Sequence, residues 1–195
     1  MITFSVVIYS TYTPSFQALL SNVFIVILAF ILAIVPLVYL VANKLTRTVP
    51  VNYLMLLVFT IGESGVASFI CSYYTADSVI FALIFFGITT VTLVMASLLM
   101  RSMENYACLM IGALLLGIAF QLSSIFFGLI TLNYDTYLVL EGIGGSIIYG
   151  VYVVIDLKII EGSVPVDDYI LGAVMLYSDL LLLFLKILQA VGSRK

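Results

Sequence analysis

The chain is a succession of apolar runs, each about as long as a bilayer is thick. Roughly 20 apolar residues in a helix cross a hydrocarbon core of ~30 Å. Six such runs can be marked off, at 21–42, 50–74, 78–100, 106–132, 137–157 and 168–190. The breaks between them are short and carry the polar punctuation. Helices joined by such tight connections pack as antiparallel neighbours. The expectation is one polytopic transmembrane domain over 1–195, an all-α membrane bundle of six full helices and an N-terminal half-helix.

Composition agrees. Hydrophobic residues make up 64% of the 195 and charged ones only 9%, against about 25% in ordinary globular chains. The mean hydropathy is +1.30, so the solvent to expect is lipid. The net charge of −3 includes no basic run, which argues against nucleic acid as a partner. With no histidine and two cysteines, Cys71 and Cys108, neither a Cys/His metal site nor a histidine-based triad can be built. Both cysteines read as small apolar helix residues. No nucleophile–base pair is visible, so neither an enzyme nor a cofactor is expected.

The N-terminal residues 2–9, Ile2 to Tyr9, are apolar but too few to cross a bilayer. They have no basic n-region and no Arg-rich presequence. They are half a helix, and either more chain precedes them or a partner subunit covers and completes the span. Lys44, Arg47, Arg101 and Lys158 fall in the first, third and fifth connections, whereas the second and fourth carry Asp77 and Asp135. The positive-inside rule puts the first set on the cytosolic or matrix side. Arg194 and Lys195 then fall on the opposite side, one dissent against four.

Three acids stand inside the apolar runs. A carboxylate at a helix centre costs roughly 2.5–3.5 kcal/mol on insertion scales, so each is a functional candidate. Glu63 lies about 20 Å along its helix from Pro50, with Ala67 and Cys71 following at four-residue spacing. It is either an ion or proton ligand or a protonated acid gluing helices together. Asp156 shares a face with Tyr149 and Tyr152, so a phenol could hydrogen-bond its carboxylate; the alternative is that it reaches the interface beside Lys158. Asp179 is about 16 Å past Asp168 and has no interface nearby. Lys186, roughly 10 Å further, is expected to snorkel outward. Should Asp156 and Asp179 meet, they could not both ionise cheaply. They would share a proton and titrate as a pair, the physics of a pH sensor. Counting depth from the ends of the runs sets Asp156 nearer its membrane edge than Asp179, so the last helix would have to start late or dip in short. Glu141 is expected at the interface, Glu104 and Glu161 in connections, Asp167 or Asp168 as a cap of the last helix, and Pro36 as a kink. Gly142, Ser146 and Gly150 make a stripe suited to close packing.

These residues resemble a known family. Gly144, Gly145 and Tyr149 through Tyr152 to Asp156, then Asp167-Asp168-Tyr169 to Leu176-Tyr177-Ser178-Asp179, are similar to the end of the transmembrane Bax-inhibitor-motif family, also called Lifeguard-like. Pro50 to Asn52 and Phe59 to Glu63 resemble its third-helix start and embedded glutamate. The similarity runs from about Pro14 to Lys186. It implies seven helices with the last one central, and a pH-sensitive Ca²⁺ leak. Carried over, Asp156 and Asp179 are the proton-sharing dyad and, weakly, Ca²⁺ ligands, Glu63 is a conduction or gating residue, and Tyr149, Tyr152 and Lys186 are supporting. The chain departs in three places: the first helix is cut to residues 2–9, run 21–42 has no basic residue to latch the dyad, and Leu157 replaces a threonine.

Two functions follow as expectations. One is a Ca²⁺ leak channel or exchanger gated by the aspartate pair, with Ca²⁺ or protons as its cargo. The other is a non-conducting accessory subunit of a larger complex, such as a respiratory assembly. The expected location is the mitochondrial inner membrane or the endoplasmic reticulum and Golgi.

Overall fold

The computed structural model describes residues 2–20, 22–42, 48–99, 115, 117–119, 122 and 134–195. Along these run α1 (Ile2–Tyr12), α2 (Pro14–Leu20), α3 (Val23–Ala42), α4 (Val51–Cys71), α5 (Ala76–Leu99), α6 (Tyr134–Ser163) and α7 (Tyr169–Val191). A 3₁₀ turn, Val166–Asp168, leads into α7. Among the described residues there is no strand, only an isolated bridge between Tyr74 and Arg194. Run 106–132 lies outside them apart from five residues, as do Lys44, Arg47, Arg101, Glu104 and Cys108.

Five of the described helices are long and apolar enough to cross a membrane: Val23–Leu40, Val51–Cys71, Ala76–Leu99, Asp135–Ser163 and Tyr169–Val191. Their outward faces carry large apolar side chains such as Phe24, Phe81, Ile88 and Leu98, all more than half exposed. Exposed apolar surface in such continuous stripes belongs in lipid rather than water. The protein is an integral membrane protein.

Local chemistry sets the helix ends. Pro14 opens α2, where its missing N–H removes no bond. Asn22 Oδ1 accepts from Phe24 N at 3.0 Å and caps α3. Pro36 stands inside α3 with helix on both sides of it. Helix α6 stops at Ser163, two residues before Pro165, whose ring disfavours helical backbone in the residue preceding it. Asp167 and Asp168 lie in the 3₁₀ turn rather than within α7.

The chain divides into two compact units. The first comprises residues 1–80, 166–174 and 193–195. In it α4 packs on α3 through small residues: a Cβ at Gly62 would meet the Ala33 backbone nitrogen, with the Leu32 carbonyl carbon at 2.5 Å. Ala29 and Ala33 of α3 are buried, and so are Ala67 and Cys71 of α4, the small-residue face read from the sequence. Helix α1 also packs on α4, burying Thr3, Val7 and Ser10. The Ser64 hydroxyl donates to the Thr60 carbonyl at 2.6 Å and lies 3.0 Å from the Thr3 hydroxyl. The inward face of the N-terminal half-helix is therefore covered by this chain itself. Ile2, Ile8, Tyr9 and Tyr12 remain on its exposed side.

The second unit comprises residues 81–165 and 175–192. Its core gathers on α7, where Leu183, Phe184 and Leu188 are fully buried. Phe184 meets Phe86 of α5 edge-to-face, with centroids 5.8 Å apart. Helix α6 comes close to α7 at its glycines. A Cβ at Gly142 would lie 2.5 Å from the Ala190 backbone nitrogen, and one at Gly145 would lie 2.7 Å from Lys186 Cδ. Helix α7 contributes to both units.

Candidate functional site

Helix α6 has 30 residues, longer at both ends than run 137–157. At 1.5 Å per residue Asp156 is about 10 Å inside its end at Ser163, and Asp179 about 15 Å past the start of α7 at Tyr169. The depth difference thus narrows to about 5 Å, because α6 continues past Leu157 and α7 starts a residue later than expected. The two aspartates, both half-buried in the second unit, bring their side chains within reach of a mutual hydrogen bond. Two ionised carboxylates have only acceptors, so such a bond requires one proton between them. Asp156 therefore does not turn to an interface beside Lys158. Lys158 is itself buried and pairs with Glu161 at 2.8 Å.

Tyr149 and Tyr152 share the Asp156 face of α6 and meet edge-to-face at 5.7 Å. Both phenols feel the charge of Asp179. The Tyr152 hydroxyl hydrogen-bonds to the backbone of Gly117, against which it packs directly because no Cβ intervenes. Of the two supporting tyrosines, Tyr152 is turned towards Gly117.

Lys186 does not snorkel outward. Its Nζ lies 2.6 Å from Glu141 Oε1 and 3.2 Å from Gln189 Oε1. The Gln189 amide in turn donates to Glu141 Oε2 at 2.9 Å and to the Leu138 carbonyl at 3.3 Å. Both charged side chains are only about one-sixth exposed, 17% and 16%. The reason is the early start of α6, which places Glu141 two turns inside the helix instead of at its edge. Gly145 leaves the space along which the lysine stem lies. Gln189 was not singled out by sequence reasoning. Its signal is a reciprocal spacing, Glu141, Gly142 and Gly145 on one helix against Lys186, Gln189 and Ala190 on the next.

Glu63 belongs to the first unit and the dyad to the second. It is half-buried on α4 and makes no ion pair with a described residue. Two carboxyls sharing a proton are a poor resident metal site, since Ca²⁺ takes six to eight oxygens. Among the described residues no group of three or more acids, cysteines or histidines could hold an ion.

A half-buried acid pair on the last two described helices of a membrane protein narrows the field, and the family comparison decides it. The model described as Inhibitor of apoptosis-promoting Bax1 matches residues 1–195. The chain belongs to the Bax inhibitor family. No curated protein matches it. This Bax inhibitor-family protein carries Asp156 and Asp179 on its last two described helices.

Proposed function

We propose that this Bax inhibitor-family protein is a passive, pH-modulated Ca²⁺ leak, with Asp156 and Asp179 as its proton-sharing sensor and Glu63 as a further conduction residue. The observation that carries the reading is the close approach of the Asp156 and Asp179 carboxyls, one from α6 and one from α7. While one proton is shared, the pair carries a single negative charge and holds the two helices together. When the proton leaves, two carboxylates face each other, which both repels the helices and attracts a cation. Flux should therefore rise with pH. No enzymatic step is part of the reading, and the membrane is that of the mitochondrion or of the endoplasmic reticulum and Golgi.

The test is Ca²⁺ flux into liposomes holding the purified chain across about pH 6 to 8, a range in which a coupled acid pair can titrate. Asp179→Asn should flatten the pH profile. A folded protein silent at every pH would overturn the leak. The second reading, a non-conducting accessory subunit, would then stand. It is favoured by the exposed apolar side of α1, at Ile2, Ile8, Tyr9 and Tyr12, which a partner subunit could cover. Stoichiometric co-purification with a membrane complex would mark it.

A further inference from the structure

The pair of cations that dissents from the positive-inside pattern has a defined place in the first unit. Past α7, residues 193–195 run beside the α4–α5 turn. Ser193 N donates to Ser78 Oγ at 2.9 Å, and Thr75 N donates to the Ser193 carbonyl at 3.0 Å. Lys195 N donates to the Tyr73 carbonyl at 3.0 Å, and Tyr74 and Arg194 form the antiparallel bridge. The tail is thus held by its backbone, and both cationic side chains remain exposed. The Arg194 guanidinium lies 5.8 Å from the centroid of the Tyr74 ring. Lys195 Nζ is 3.3 Å from Gln17 Oε1. Ile70, Tyr73, Tyr74, Arg194 and Lys195 line a partly open cavity of about 330 Å³.

The place of this cavity limits what it can take. The turn joins two spans, one ending at Cys71 and the next starting at Ala76, so it lies at the bilayer surface. Tyrosines concentrate at that level because their rings are apolar and their hydroxyls polar. Two cationic side chains stand here, and the acidic side chain nearest in sequence to the turn is the exposed Asp77 of the first turn of α5. Guanidinium is a planar fork that matches phosphate oxygens, and ammonium adds a point charge. Ile70 and the tyrosine rings give the same cavity an apolar wall, which a free anion would not need.

We propose that Arg194 and Lys195, held over Tyr73 and Tyr74, bind the phosphate of an anionic phospholipid headgroup. The apolar wall takes the glycerol end of the lipid. The charge pair opposite the basic connections is then a lipid anchor for the α4–α5 turn and not a topological signal.

Native mass spectrometry of the full chain, released from mixed micelles of phosphatidylglycerol and phosphatidylcholine, tests this. The wild type should retain phosphatidylglycerol preferentially. Arg194→Gln with Lys195→Gln should lower that preference roughly 30-fold, about fivefold per charge near an anionic surface. Arg194→Lys with Lys195→Arg should keep most of it, which guards against a folding artefact in the neutral variant. Equal lipid preference in wild type and neutral variant would overturn the proposal. So would displacement of the lipid by millimolar inorganic phosphate, which would make the ligand a soluble anion.

Discussion

Lys186 and Glu141 form an ion pair within the two membrane-spanning helices, Nζ to Oε1 2.6 Å, with Gln189 holding the second carboxylate oxygen. Removing one partner of such a pair leaves an uncompensated charge in a poorly solvated place. Lys186→Met or Glu141→Gln alone should destabilise the bundle by about 3 kcal/mol. The double variant should recover most of that loss, because no charge is left unpaired. Unfolding in detergent, followed by circular dichroism with increasing denaturant, reads all three. Single variants as stable as the wild type would show that water reaches the pair.

The glycines grade a second prediction. At Gly62 and Gly142 a methyl group would run into backbone, the Ala33 nitrogen and, at 2.5 Å, the Ala190 nitrogen. Backbone cannot step aside, so Gly62→Ala and Gly142→Ala should each cost about 1–3 kcal/mol. At Gly145 the obstacle is the flexible Lys186 stem, Cδ at 2.7 Å, and the substitution should be milder. Gly87 faces nothing within 4 Å. Gly87→Ala should be neutral or stabilise by up to about 1 kcal/mol through helix propensity. The same unfolding assay orders the four, and a flat series would mean the α3–α4 and α6–α7 crossings are looser than the structure has them.

Much of this was legible in the sequence because the bilayer imposes it. Residues with apolar side chains in runs of membrane length have few structures open to them, and the observed α3, α4, α5 and α7 start and stop within three residues of the runs that predict them. Helix α6 differs more. Tyr134 to Thr136 and Lys158 to Ser163 are too polar to count as membrane interior, yet nothing in them breaks a helix before Pro165 comes near. That extension brings Asp156 nearer the depth of Asp179 and takes Glu141 off the interface. Residue type raises the meeting of Asp156 with Asp179 only as a condition, and the family resemblance implies it. The meeting of Glu141 with Lys186 was not foreseen, since it depends on how closely Gly142 and Gly145 let two helices approach. No reading of one helix at a time contains that distance.

The dyad supports a prediction that does not depend on flux. If Asp156 and Asp179 share one proton, the protein in a membrane contains a carboxylic acid whose proton leaves as pH rises, and neither residue alone owns it. Infrared difference spectra between acid and alkaline suspensions should show a carboxylic C=O band lost on alkalinisation. Either Asp156→Asn or Asp179→Asn should remove or move that band, because the remaining acid no longer faces a second charge. Glu63→Gln should leave it in place, since the shared proton involves the Asp156 and Asp179 carboxyls and not that of Glu63. A band that survives in one of the two aspartate variants would assign the proton to the other residue alone. In that case the pair is an acid with a neighbour, the repulsion argument for opening falls, and flux should not rise with pH.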